Sequence, residues 1–243
     1  AIAKASRTIE ATRDPVKNYN KYTFKQLKSE MPSFNWDAFN EALGLTGVDT
    51  VVVGQPEFFR SISGLLKSIA LQDWKNYLKL QLLSSYAEYV DDKTFNESFA
   101  FYSTALNGVK VAKPRWKRVV ARTDDALGEL VGQVYVDEYL PKGTKEKLLE
   151  IGNAIKEVYA ERIQKLDWMS DATKAKAQEK LAGIVMKVGY PDKWKDLSSM
   201  AINRASCAES NMNANLWQFK YILQKFGKPV VRTEWNMQPQ YYN

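Results

Sequence analysis

Apolar residues recur at three- and four-residue spacing through most of this chain, the period of helices that each bury one face against a neighbour. The pattern predicts an all-α fold: a single multi-helix domain over residues 1–243, built of long amphipathic helices with minor short strands. A first helix over Ile2 to Ala11 stops ahead of Arg13-Asp14-Pro15, since a residue preceding proline is pushed out of helical geometry. Short helices follow near Phe24 to Lys28 and Trp36 to Leu43, the second ended by Gly44, and the β-branched run Thr50 to Val53 reads as a strand. Pro56 suits the first turn of a helix to about Ser68. Asp73 caps a helix to Val90 in which Trp74, Tyr77, Leu78, Leu82, Tyr86 and Tyr89 share one stripe. Asp91 or Asp92 starts the next, to Leu106, closed by Asn107-Gly108. Further helices are predicted from Pro114 to Tyr139, Lys145 to Leu166, Ser170 to Val188 and Ser206 to Phe226, with breaks at Gly189-Tyr190-Pro191 and Gly227-Lys228-Pro229.

With 243 residues, 45% hydrophobic and 26% charged, the chain can bury a substantial core and does not have the composition of a disordered one. No apolar run approaches the roughly 20 residues of a membrane span, and Ala1 to Glu10 lacks the apolar block of a secretory signal. A single cysteine, Cys207, makes no internal disulfide.

The absence of histidine changes the picture most. Imidazole is the commonest ligand of catalytic zinc and the commonest general base near neutral pH, so Ser-His-Asp, Cys-His and His-Glu-x-x-His chemistries are excluded for this chain alone.

A net charge of +7 raises the question of an anionic partner. The basic residues concentrate at Lys110, Lys113, Arg115, Lys117, Arg118 and Arg122, around Trp116 and without an acid among them. Helical spacing scatters these charges around the axis, which favours a solvated helix start whose cations pair with acids elsewhere over a nucleic-acid face, and Trp116 is expected in the core. The pairs Asp91-Asp92, Asp124-Asp125 and Asp137-Glu138 read as caps or solvated faces, because adjacent helical side chains diverge by about 100° and cannot clamp one ion unaided. Cys207, near a helix start, reads as a packing residue.

Lys113-Pro114-Arg115-Trp116-Lys117-Arg118, followed by Leu127-Gly128-Glu129-Leu130-Val131-Gly132-Gln133-Val134-Tyr135-Val136, closely resembles the helical region of neprilysin-like M13 zinc metallopeptidases. Other blocks agree in the same order: Arg13-Asp14-Pro15 with Tyr19-Asn20; Gln55-Pro56 with Phe58-Phe59; Glu161-Arg162-Ile163 with Leu166-Asp167-Trp168-Met169; Gly189-Tyr190-Pro191-Asp192-Lys193-Trp194; and Gly227-Lys228-Pro229-Val230 with Arg232-Thr233-Glu234-Trp235 and Met237.

The resemblance implies a helical lid that faces a zinc-bearing catalytic domain of the same protein across a cavity, admits oligopeptide substrates and excludes folded proteins. Zinc would belong to the full-length parent; this chain would bind none and would carry no catalytic residue. In the family an Asn-Ala-Tyr/Phe-Tyr edge strand holds the substrate. Here Pro239-Gln240 runs directly into Tyr241-Tyr242-Asn243, so Tyr241 and Tyr242 match the aromatic pair as substrate-binding residues while the Asn-Ala has no counterpart. The chain reads as truncated at both ends, with 230–243 the start of the connection to the catalytic domain. Animal members carry a cysteine where Val119 stands, which points to a bacterial, disulfide-free protein, and an exported (periplasmic or extracellular) location is favoured over a cytoplasmic one. The competing reading is a helical binding module, or a catalytically dead scaffold, whose basic face at Lys113, Arg115, Lys117, Arg118 and Arg122 meets an anionic partner.

Overall fold

A computed structural model of the chain describes residues 2–45 and 47–241. Among them are eleven α-helices and two short strands, so the fold is all-α with the minor strands expected. The chain divides into two compact units, residues 1–88 and 89–243.

In the first unit the predicted opening helix is two, α1 (Ile2–Ala5) and α2 (Ile9–Thr12). The break falls at Arg7, which leaves the helix to satisfy distant groups. Its guanidinium donates to the carbonyls of Lys17 (2.9 Å) and Gly54 (2.9 Å) and to Asn18 Oδ1 (3.0 Å), and it forms an ion pair with Glu57. Thr8 restarts the helix by accepting from the Ala11 amide.

Strand β1 (Asn20–Thr23), which the sequence pattern did not reveal, pairs antiparallel with β2 (Thr50–Val53), Asn20 opposite Val53 and Thr23 opposite Thr50. Thr23 ends β1 and caps α3 (Phe24–Glu30): its side chain accepts from the Gln26 amide while Gln26 Oε1 accepts from the Thr23 amide, a reciprocal capping box. Asn35 caps α4 (Trp36–Leu43), which Gly44 ends at φ +70°, as the sequence led one to expect. Between these elements lies a small core of Leu27, Met31, Trp36 and Val53, with Leu27 and Met31 fully buried. Trp36 Nε1 donates to the Met31 carbonyl, and Phe34 and Phe39 pack tilted and edge-on against the indole. α5 (Pro56–Ser68) has the predicted bounds, with proline in its first turn.

The boundary between units falls inside α6 (Leu71–Val90). The single packed stripe expected there is not found: Leu78 and Leu82 are 61% and 56% exposed, and Ala87 is the buried residue of the helix. Leu71, Leu80, Leu83 and Val90 are exposed too, so the apolar residues run around the axis instead of gathering on one side.

The second unit continues with α7 (Asp92–Ser98), capped by Asp91, which passes directly into a π-helical segment over Phe99–Ala105. α8 (Arg115–Tyr139) is kinked at Leu127, whose φ of −128° and ψ of 25° are not helical. α9 (Thr144–Lys165) and α10 (Asp171–Ala182) form an antiparallel hairpin in which Gln178 Nε2 donates to the Ala160 carbonyl at 2.7 Å. α10 ends six residues before the expected Val188, and the chain continues along α9 without helical structure, seating Met186 on Gly152. A Cβ on Gly152 would lie 2.3 Å from the Met186 sulfur. α11 (Cys207–Leu223) is capped by Ser206. No helix among the described residues is long and apolar enough to cross a membrane.

The small core makes the first unit sensitive to truncation at its centre. Leu27→Ala is expected to cost about 2–5 kcal/mol, the range for emptying a fully enclosed leucine site. Urea unfolding followed by tryptophan emission would measure it.

Candidate functional site

In the second unit the final segment, residues 233–241, is held by α8, by α11 and by the loop around Lys195. Glu129 on α8 is the hub of the first attachment. Its carboxylate accepts from the Lys195 amide at 2.6 Å and pairs with the Lys195 ammonium at 2.7 Å, both side chains being largely withdrawn from solvent (12% and 24% accessible). The same ammonium donates to the Trp235 carbonyl at 3.3 Å and lies 5.6 Å from the Tyr221 ring centroid. One lysine thus ties α8, α11 and the final segment together.

The second attachment is made by α11. Trp217 and Tyr221, one turn apart, stack with centroids 5.2 Å apart and planes 10° from parallel. The Tyr221 hydroxyl donates to Glu234 at 2.9 Å, and the Lys225 ammonium, 4.3 Å from the Tyr221 ring centroid, forms an ion pair with the same carboxylate. Burial, with the Glu234 hydrogen bond and charge, pushes the Tyr221 hydroxyl up from its ordinary 10 to about 12. The hydrogen bond from Lys225 holds the Glu234 carboxyl below the usual carboxylate range. These groups border a cavity of about 900 Å³ walled by Trp194, Trp217, Tyr221 and Trp235, with Lys193 and Lys220 at its edge.

The third attachment brings Tyr241 to α8. Gln240 Nε2 donates to the Asp124 carboxylate and, at 3.0 Å, to the Gly128 carbonyl. Asp124, expected as a cap or solvated acid, therefore has a tertiary partner, while Asp125 pairs with Arg122 at 2.9 Å. Tyr241 is 47% exposed, and its hydrogen bond to Asp124 raises its hydroxyl pKa. Tyr242 lies outside the described residues.

The basic cluster is dispersed. Arg115 pairs with Asp92 at 3.1 Å, Arg122 with Asp125, and the Arg118 guanidinium stacks 3.7 Å from the Phe95 ring centroid. Lys117 lies 5.4 Å from the Trp116 ring centroid, and Lys113 is exposed. Trp116, expected in the core, is 65% exposed: in the first turn of α8 it is Arg115 and Arg118 that meet α7, at Asp92 and Phe95. Trp168, within one of the family blocks, is 74% exposed.

The donor set does not fit a zinc ion. The sequence has no imidazole, and no three Cys, Asp or Glu side chains gather where they could share a metal among the described residues.

A family profile described as peptidase family M13 matches residues 1–191, well over half of the chain. The chain belongs to peptidase family M13. Among curated M13-type relatives it is 27% identical to the endothelin-converting enzyme homolog of Locusta migratoria, with all of this chain and 36% of that protein covered. It is 28% identical to neprilysin-2 of Drosophila melanogaster, covering 97% of this chain and 33% of the relative, and 26% identical to the neutral endopeptidase of Lactobacillus helveticus, covering 97% and 37%. The zinc metalloprotease Zmp1 of Mycobacterium tuberculosis in its open state superimposes with a TM-score of 0.90 at 33% identity, over all of this chain and 38% of that one. Its inhibitor complex gives 0.84 at 32% identity, covering 100% and 37%. This M13 chain therefore spans about a third of the length of the relatives it matches, and it corresponds to their N-terminal part.

Glu129, Lys195, Tyr221 and Glu234 were not singled out from the sequence. Two of them lie inside the family blocks, but nothing local marks a lysine 66 residues away as the partner of Glu129.

Lys195→Ala would leave the Glu129 carboxylate largely buried and unpaired, so it is expected to destabilise the second unit by about 3–5 kcal/mol, readable by chemical denaturation. The Glu234 clamp sets an acid limit. A depressed carboxyl contributes stability above its unfolded pKa and loses it as pH falls through the folded value, so the melting temperature should drop more steeply below about pH 4.5 in the parent chain than in Glu234→Gln. Melting curves collected between about pH 3 and 7 would show the difference.

Proposed function

We propose that this chain is the non-catalytic helical wall of a zinc-dependent peptidase, which shapes and restricts the compartment in which oligopeptides are cut. The observation that carries the reading is the absence of histidine from a member of peptidase family M13. The zinc and the residues that use it then belong to another part of the same protein, and this chain contributes shape, exclusion and contact with the peptide at Tyr241 and Tyr242. Zinc in that part would polarise the scissile carbonyl and lower the pKa of the attacking water. Val119, at the position of the cysteine in animal members, favours a bacterial protein without disulfides, and an exported location completes the proposal.

Exposed apolar faces support a covering neighbour. On α9, Leu148, Ile151, Ile155 and Val158 follow one another at spacings of three and four residues and are 39–54% exposed, while α10 already occupies another side of the helix. Such a stripe is the seam of a helix with a second packing partner. Because three arginines of the basic cluster are engaged by Asp92, Asp125 and Phe95, an anionic partner has less to bind there than the sequence offers.

Incubated with zinc and a fluorogenic oligopeptide, the isolated chain is expected to show no chelator-sensitive hydrolysis. Activity should appear only in a longer polypeptide that also carries a His-Glu-x-x-His helix. Chelator-sensitive cleavage by the isolated chain would overturn the reading.

A further inference from the structure

The segment that carries Tyr241 does not trail from the fold but is seated on α8 in a fixed register. Gln238, Pro239, Gln240 and Tyr241 form a tight turn closed by the Tyr241 amide donating to the Gln238 carbonyl at 3.2 Å, with proline at the second position, where its fixed φ is already suited to the turn. The turn rests on a face of α8 that has no side chains. A Cβ on Gly128 would lie 2.7 Å from Gln238 Nε2, and one on Gly132 would lie 2.8 Å from Pro239 Cδ and 2.9 Å from Gln240 Oε1. Glycines four residues apart stand one above the other on a helix, so together they make a slot that admits a second backbone. The kink at Leu127 immediately precedes this slot.

We propose that Asp124 is a positioning residue which, with the Gly128–Gly132 slot, fixes the register of the Gln238–Tyr241 turn and so the place at which Tyr241 is presented. Seating alone would let the turn slide, because glycine offers no lateral contacts. Register comes from Gln240. Its amide nitrogen faces two acceptors, the Asp124 carboxylate and the Gly128 carbonyl, which settles the orientation of the amide, since the opposite flip would set oxygen against oxygen. The amide oxygen is then turned into the slot, buried and without a partner, a cost that the bonds of the nitrogen to a charged acceptor and a carbonyl must offset. Asp124 also raises the pKa of the Tyr241 hydroxyl, so one carboxylate acts on two successive side chains of the segment. Only the consequence for substrate, that the peptide meets Tyr241 at a defined position, rests on the function proposed above.

The test is hydrogen exchange by mass spectrometry on the full chain, comparing the amides of Gln238, Gln240 and Tyr241 with those of the β1–β2 sheet as an internal control. Gln240→Glu, nearly isosteric, sets a carboxylate against Asp124 and the Gly128 carbonyl and is expected to speed exchange in 238–241 by about tenfold or more, with the sheet unchanged. Adding Asp124→Asn returns a donor to position 124 and should recover most of the protection. Gly132→Ala, which raises helix propensity and so does not weaken α8 itself, should expose the same residues by lifting Pro239. Unchanged exchange in both Gln240→Glu and Gly132→Ala would overturn the proposal, and so would a double variant no better protected than Gln240→Glu. Exchange reads docking and not hydrolysis. A seated turn in a longer polypeptide that carries a His-Glu-x-x-His helix and still cleaves no peptide would therefore remove the function proposed above and leave the latch standing, whereas an unseated turn would remove the latch alone.

Discussion

Lys195 meets three demands with one ammonium group. It neutralises Glu129 on α8, donates to the Trp235 carbonyl and lies over the Tyr221 ring of α11. Without it, a carboxylate withdrawn from water has no counter-charge and a backbone carbonyl loses its donor, each of which costs more than the net worth of the bond that satisfied it. The attachment is also directional. The Lys195 amide fixes one Glu129 oxygen while the ammonium fixes the other, so the helix, the loop and the final segment share one geometry. The contacts of Trp235, Glu234 and Gln240 further along the segment build on that alignment.

The second constraint is close backbone approach. Three helical glycines admit a neighbour where a Cβ would collide: Gly152 receives Met186, and Gly128 and Gly132 receive the turn at Gln238 to Gln240. Glycine within a helix weakens it by about 1 kcal/mol relative to alanine, so each such position implies a compensating contact. In this unit, those contacts are with segments outside the helices, one after α10 and one after α11, whose order depends on the helices they lean on.

How much of this was legible follows from sequence separation. α3, α4, α5, α9 and α11 have local signals in capping residues, proline in a first turn and glycine at an end, and the structure places them within a few residues of expectation. β2 announced itself through Thr50-Val51-Val52-Val53, whereas Asn20-Lys21-Tyr22-Thr23 is mostly polar and becomes a strand only because β2 supplies its partner. The break between α1 and α2 was hidden for the same reason, since the groups that draw Arg7 out of the helix lie 10 to 50 residues away. The block containing Gly128 and Gly132 was noticed as a family signature, but its role needed Gln240, 112 residues on. Trp116 was placed in the core because helical spacing reports that a residue is apolar and periodic, not whether a covering surface is at hand.

The electrostatics of the second unit argue against chemistry at these groups and for holding. Shifted ionisation often marks catalysis, but a general acid or base needs a pKa near the working pH. Tyr221 is moved away from neutrality, up to about 12, and so stays protonated as a donor to Glu234. Glu234 is moved the other way by Lys225 and stays ionised as an acceptor. Both shifts lock a single protonation state over the neutral range, which stabilises a hydrogen-bonded clamp and forgoes proton transfer. Groups that hold one shape are tuned in this direction, and a catalytic dyad would be tuned in the opposite one.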